Sequence, residues 1–486
     1  MNFKLIWRII AYILLIEAGL MLPSLGISVA RSETAAVNAF LYSIGIILLV
    51  VAVLLLVTRN YKKGRFYSRE GLTTTGLTWI MMSALGCLPF YLSKAIPNYV
   101  DAMFEMVSGF TTTGSSILPE VESMAHGLLF WRSFSHWIGG MGVLVFLLAI
   151  VSVGGKNEGF TLHILKAESP GPAVGKMVPR MKDTAKILYM IYLGLTVLNT
   201  VFLLLGGMSL FEALCTAMGT AGTGGFGIRN DSLASFSPYL QNVTTVFMFL
   251  FSVNFSIYYL ILLRHFNEAF ADEELRLFLI MIAASIGLIA WNVRPLYTTM
   301  EETVRHSAFT VGTVMSTTGY ATTDFDLWPS FSKAILLFLM MVGACAGSTG
   351  GGMKQVRLLL LWRSLKRNLH KSLHPTEVRS VMVNGRAMDE DIITNTNAYL
   401  IAYVIIIVGS VLVLSLDGFD FETNFSAVMA TFNNIGPGFH AVGPTCNFAA
   451  YSTLSKLVMI ADMLAGRLEI YPILILISKS TWKKAR

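Results

Sequence analysis

Apolar runs long enough to cross a bilayer alternate along this chain with shorter, mixed segments, and the alternation is regular. Two spans come first, at 5–27 and 39–57. The order span, short segment, span then recurs four times, with the paired spans at 73–92 and 127–153, 186–206 and 239–263, 275–293 and 331–361, and 395–415 and 454–478. A membrane-crossing helix needs about 20 apolar residues, and the short segments hold only about a dozen before a glycine. Each therefore predicts a re-entrant half-helix that enters and leaves on one face, followed by extended backbone. Such backbone is tolerated at membrane depth only where it lines protein or a water-filled cavity. The pattern predicts an all-α polytopic membrane protein: four pseudo-symmetric helix–loop–helix repeats around one pore, after two N-terminal transmembrane helices. The expected divisions are 1–70, 71–164, 165–268, 269–386 and 387–486.

The four short segments align residue by residue, ending at Gly114, Gly225, Gly319 and Gly436. Two residues before the glycine stand Thr112, Thr223, Thr317 and Asn434. Between them lie Thr113, Gly224, Thr318 and Ile435, and six residues before it are the small Ser108, Gly219, Thr313 and Ala430. In the second copy Gly225 is preferred to Gly224, because Glu212 to Gly225 repeats the offset of Asp101 to Gly114. Glycine lets two backbones approach closely and turns its carbonyl freely. A ring of convergent carbonyls can replace a cation's hydration shell. A single such segment would be read as small residues packing helices; four aligned copies favour a cation filter built from these twelve residues.

Composition agrees: 54% of residues are hydrophobic and 13% charged, against about a quarter charged in soluble domains. The first apolar run carries Arg8 and Glu17 and has no convincing cleavage site, so it is kept as a helix rather than a leader. Basic residues cluster in alternate gaps, as at Arg59 to Arg69 and Lys354 to Arg386. The positive-inside rule puts those gaps, and both termini, in the cytoplasm. The net charge of +7 thus speaks of topology and anionic lipid, not of nucleic acid. The intervening gaps are acidic and flank the glycine segments, where negative charge would gather cations. All four repeats face the same way, unlike an inverted-repeat transporter. The four cysteines have no paired spacing and read as buried free thiols. No Ser-His-Asp set, zinc motif or dinucleotide fingerprint is credible, which argues against an enzyme.

One further glycine tract belongs to a single repeat. Gly343, Gly347, Ser348, Thr349, Gly350, Gly351, Gly352 and Lys354 interrupt the last span of the third unit. Glycine costs about 1 kcal/mol per residue in a helix, so a loop is expected. Its likeness to a phosphate-binding loop fails for want of a Gly-Lys-Ser/Thr ending. Arg467 lies within the last span, where a charge marks function or a buried pair. Glu469, two residues away, is a poor partner on a helix. Arg132 and His136 share a helix face and read as structural contacts, and Glu17 as paired or at an interface.

The copies Thr-Thr-Thr-Gly-Ser-Ser, Thr-Gly-Gly-Phe, Ser-Thr-Thr-Gly-Tyr and Asn-Asn-Ile-Gly-Pro-Gly resemble the pore loops of the TrkH/KtrB/HKT superfamily of potassium uptake proteins, and the resemblance runs nearly end to end. It implies one filter glycine per repeat and, since all four are glycine, potassium as the bound and transported ion. A serine at the first position, as in some plant members, goes with sodium. It also implies that the 343–354 tract is an intramembrane gate, that Arg467 is a pore charge below the filter, and that the protein is a homodimer in a bacterial inner membrane. A cytosolic TrkA-like nucleotide-binding ring would be its partner, and no organic cofactor is expected. The alternatives are a symporter coupling potassium to protons or sodium, and a membrane-embedded enzyme or scaffold.

Overall fold

The computed structural model describes residues 2–60, 68–142, 181–377 and 379–482. Six helical spans are long and apolar enough to cross a membrane unaided: Phe3–Ala30, Thr34–Val57, Arg69–Leu92, Ala185–Leu205, Glu273–Leu296 and Glu390–Asp417. These are the two leading spans and the first span of each repeat, and the chain is a multi-pass membrane protein.

The second span of each repeat behaves differently. Pro238–Ser252 and Phe255–Leu262 meet at 92°, where the sequence predicts one helix over 239–263. Val253 is extended there, and the Asn254 side chain caps the next helix by accepting from the Ser256 N–H at 2.9 Å. Ser330–Val342 stops at Gly343, and Gln355–Leu373 begins after the glycine tract. Thr453–Arg467 is parted from Tyr471–Ile477 by Glu469 and Ile470, both at positive φ. In the first repeat His126–Gly140 ends just before 143–153, which lie outside the described residues. Interruption is therefore a property of at least three repeats; only the glycine run is peculiar to the third.

Between the paired spans lie four short helices, Tyr99–Phe110, Leu210–Gly222, Met300–Met315 and Phe421–Phe432. Ser209 with Glu212, and Thr299 with Glu302, form capping boxes. Asn98 and Asp420 accept from backbone N–H groups two and three residues on. These side chains satisfy donors that a helix start leaves unpaired. Each short helix is buried over its last turns.

The largest apolar core joins the leading helices to the first and fourth repeats through Leu14, Phe40, Trp79, Phe104, Phe432 and Met459. A second, around Phe278, Met315, Leu336 and Ile435, fills the third. The leading helix Thr34–Val57 turns Leu41, Leu49 and Leu56 outward, which suits contact with lipid. The β-structure among the described residues is one hairpin, Met382–Val383 against Arg386–Ala387.

Candidate functional site

All four short helices stop in the same way. The residue two before the aligned glycine sits in the left-handed region: Thr112 at φ 56°, Thr223 at 54°, Thr317 at 58° and Asn434 at 55°. Its N–H donates to the carbonyl three residues back, at 3.1, 3.0, 3.1 and 3.3 Å. The next N–H donates five residues back, from Thr113 to Ser108, Gly224 to Gly219, Thr318 to Thr313 and Ile435 to Ala430, at 2.8–2.9 Å. This pair of bonds is a Schellman turn. The carbonyl that closes it belongs to the position where the sequence carries only small residues. Glycine usually occupies the left-handed place; here β-branched or amide side chains do, at a cost of order 1–3 kcal/mol each.

The turn releases the chain so that the four glycines face one another in cyclic order. A Cβ on Gly114 would overlap the carbonyl oxygen of Gly224, one on Gly225 that of Thr318, and one on Gly319 that of Ile435. One on Gly436 would lie 3.0 Å from that of Thr113. All four glycines have positive φ, from 72° at Gly225 to 107° at Gly436, and Gly224 does not share it. The carbonyls of Thr113, Gly224, Thr318 and Ile435 accept no hydrogen bond among the described residues. Bared carbonyls in a ring are suited to a dehydrated monovalent cation. The ring opens into a cleft bounded by all four glycines.

Among the described residues no carboxylate lines that cleft, so any attraction by the acidic gaps acts from its surroundings rather than its walls. Several nearby acids are engaged elsewhere: Asp101 pairs with Lys456 at 2.7 Å, Glu122 accepts from the Asn230 N–H at 2.9 Å, and Asp420 and Glu212 cap helices. Asp326, Glu422 and His440 bring ligand atoms within 4.8 Å of one another, a spacing that could hold a metal. Yet Lys333 already lies 2.7 Å from Asp326 and 3.7 Å from Glu422. Burial alone would raise the Asp326 carboxyl. Hydrogen bonds from Lys333 and the His440 backbone, with both charges, outweigh it and hold the group below the usual carboxylate range.

Arg132 and His136 serve the ring from behind. The Arg132 guanidinium pairs with the buried Glu105 at 2.6 Å, donates to the Gly227 carbonyl at 2.9 Å and lies 3.6 Å from the Phe226 ring centre. Glu105 also accepts from the Ile117 N–H at 3.0 Å and from Ser116. His136 Nδ1 donates to the Gly109 carbonyl at 2.8 Å, while Nε2 accepts from the Phe226 N–H at 3.3 Å. Together they tie the first half-helix to the extended segment after Gly225. The structural role that the sequence suggests for Arg132 and His136 thus has a partner the sequence does not single out, Glu105, an acid inside an apolar half-helix.

The 343–354 tract is a buried loop against the closed side of the ring. The Gly351 N–H donates to Thr317 Oγ1 at 2.6 Å and the Gly352 N–H to the Asn433 carbonyl at 3.1 Å. Thr349 Oγ1 donates to the Phe251 carbonyl at 3.1 Å, and the Gly347 carbonyl accepts from the Phe255 N–H at 3.0 Å, at the break in the second repeat. Ser348 closes on the Cys345 carbonyl at 2.6 Å. Gly343, Gly347, Gly352 and Lys354 take positive φ, and the Lys354 ammonium turns back onto the Gly350 carbonyl. Arg467 donates to Thr349 O at 2.8 Å, to Gly140 O at 2.6 Å and to Gly139 O. It thus caps the carbonyl end of one helix, where a cation is favoured, while holding the loop. Glu469 pairs with Arg357 of the helix after the loop. Glu17 is buried against Gly86, and neither oxygen has a hydrogen-bond partner among the described residues. Of the cysteines, Cys446 is exposed, unlike the buried thiol expected.

A multi-span helical protein with half-helices converging on a glycine ring is a membrane transport protein in class. The family model for TrkH, described as a cation transport protein, matches residues 38–484, and the chain belongs to that family. It is 34% identical to the Trk system potassium uptake protein TrkH of Salmonella typhimurium and 33% identical to that of Escherichia coli K12, over the whole of each chain. The crystal structure of the potassium transporter TrkH from Vibrio parahaemolyticus superposes with a TM-score of 0.88 at 32% identity, covering 99% of this chain and 100% of that one.

Proposed function

We propose that this protein takes up potassium across a bacterial inner membrane through a single pore. Thr112 to Gly114, Thr223 to Gly225, Thr317 to Gly319 and Asn434 to Gly436 form the filter, and the 343–354 loop is the gate beneath it. The observation that carries the reading is the cyclic closure of four glycines onto four unengaged carbonyls. A ring without side chains suits a dehydrated ion and no larger solute. Arg467 adds positive charge at the loop and discourages cations from resting below the ring. The five divisions of the chain at 70, 164, 268 and 386 follow from this plan, with both termini in the cytoplasm. A homodimer and a TrkA-like nucleotide-binding ring on the basic face complete the system, by family likeness. Channel-like conduction is preferred to proton-coupled symport, because among the described residues no acid lines the cleft at the ring to carry a coupling proton.

The test is uptake of potassium, rubidium and sodium into liposomes by the native protein and by Gly114→Ser. The native protein should favour potassium and rubidium, and Gly114→Ser should lower the potassium-to-sodium ratio by about tenfold or more, the effect of about 1.4 kcal/mol in discrimination. Equal fluxes for all three ions in both proteins would refute the filter assignment.

A further inference from the structure

The two ends of the intramembrane loop meet on one carboxylate. Glu274 Oε1 accepts from the Ala346 N–H at 2.7 Å and from the Val356 N–H at 3.1 Å. The side chain is buried, and it comes from another element, the first turn of Glu273–Val293. One oxygen thus pins the entry of the loop to the helix that leaves it.

The residues beside Glu274 hold a different structure. Asp272 accepts from the Asn384 side chain at 2.8 Å, and Glu273 from the Asn384 N–H at 2.8 Å, while the Asn384 side-chain oxygen accepts from the Glu273 N–H at 2.9 Å. Asn384 is the turn of the hairpin Met382–Val383/Arg386–Ala387. Glu273 also pairs with Arg363 at 2.9 Å, on the helix that follows the loop. Three consecutive acids therefore join the hairpin to the loop through a single helical turn, with no intervening flexible chain.

We propose that Glu274 is the positioning residue of the 343–354 loop, and that the hairpin is the handle through which its grip is set. Pulling the hairpin shifts the Asp272–Glu274 turn and loosens both loop ends at once. The functional part of this proposal rests on the reading of the loop as a gate.

Cys345, buried and next to Ala346, reports on the loop directly. In the full-length protein carrying Cys446→Ser, reconstituted in liposomes, the maleimide labelling rate of Cys345 is measured by mass spectrometry beside rubidium flux. Glu274→Ala should label at least about tenfold faster, having left two buried N–H groups without their shared acceptor. Glu274→Gln, whose amide oxygen accepts the same two N–H groups, should stay near the native rate. Asn384→Ala, an exposed change that spares the core, loses the side-chain bonds to Asp272 and to the Glu273 N–H and keeps its own N–H bond to Glu273; it should label about two- to threefold faster, the small net effect of hydrogen bonds open to water. Native labelling in Glu274→Ala, or labelling in Glu274→Gln as fast as in Glu274→Ala, overturns the role of Glu274. Native labelling in Asn384→Ala overturns the handle. Fast labelling with unchanged flux upholds the anchor and refutes the gate.

Discussion

Thr112, Thr223, Thr317 and Asn434 carry backbone angles that their side chains resist, and at Thr317 and Asn434 hydrogen bonds to other elements offset the cost, whereas Thr112 Oγ1 has no partner among the described residues. Asn434 reaches across to Thr113 Oγ1 at 2.8 Å, and Thr317 Oγ1 receives the Gly351 N–H; glycine there would end the helix as well and lose both contacts. Arg132 is the other residue whose removal has a definite consequence. Arg132→Met leaves Glu105 buried without its countercharge, a change that costs about 3–5 kcal/mol. Thermal unfolding in detergent should fall markedly for Arg132→Met, and the double variant with Glu105→Leu should be more stable than Arg132→Met alone. If the double variant is worse than the single, Glu105 is held by its other donors and the pair is not coupled. The small residues at 108, 219, 313 and 430 were visible in the sequence as a pattern, but their work as turn-closing carbonyls was not, since any residue has a carbonyl. The partner of Arg132 was hidden for a related reason: an acid inside an apolar half-helix looks misplaced until the fold brings the arginine to it.

Among the elements, the unbroken spans were readable from hydropathy alone, because six of them carry long apolar runs. The broken spans were readable only where glycine signalled the break. Val253 and Asn254 give no such signal, and the chain turns there because the loop of the third repeat supplies the lost partners: the Ser252 carbonyl accepts from the Cys345 N–H at 3.1 Å and the Phe255 N–H is taken by Gly347. A break that depends on a segment about ninety residues away cannot be seen in a local window. The loop also fills the space under the ring, so removing three of its glycines from 347–352 should raise potassium flux by an order of magnitude or more in liposomes, about 1.4 kcal/mol per tenfold. Folded, shortened protein with native flux would show that the loop does not limit conduction.

At the scale of the molecule, the outer ends of the third and fourth repeats are strapped by Lys333, Asp326, Glu422 and His440. The Asp326 carboxyl is held below its ordinary range, so its contribution is present at neutral pH and is lost as pH falls below about 4, the ordinary carboxylate value. Lys333→Met should therefore lower thermal stability modestly at pH 6, by about 1 kcal/mol or less for a pair open to water. The gap from the native protein should narrow at pH 3. A gap that is constant with pH would show that Lys333 contributes by packing, as on the Phe439 ring 5.6 Å away, rather than by charge.

The ring of glycines is circular, but the chain that makes it is linear, and one of its four joints must link the last repeat to the first. That joint is the loosest of the four: a Cβ on Gly436 would stop 3.0 Å from the Thr113 carbonyl, where the other three would overlap theirs. It is nevertheless drawn together by side chains, with Asn434 bonded to Thr113 and Ser115 Oγ donating to the Gly436 carbonyl at 2.9 Å. During synthesis from the N-terminus, the first three segments exist before the fourth has been made. The last joint is a clasp on an otherwise finished necklace, and its fastening is polar, so the chain completes its circle by recognition rather than by continuity.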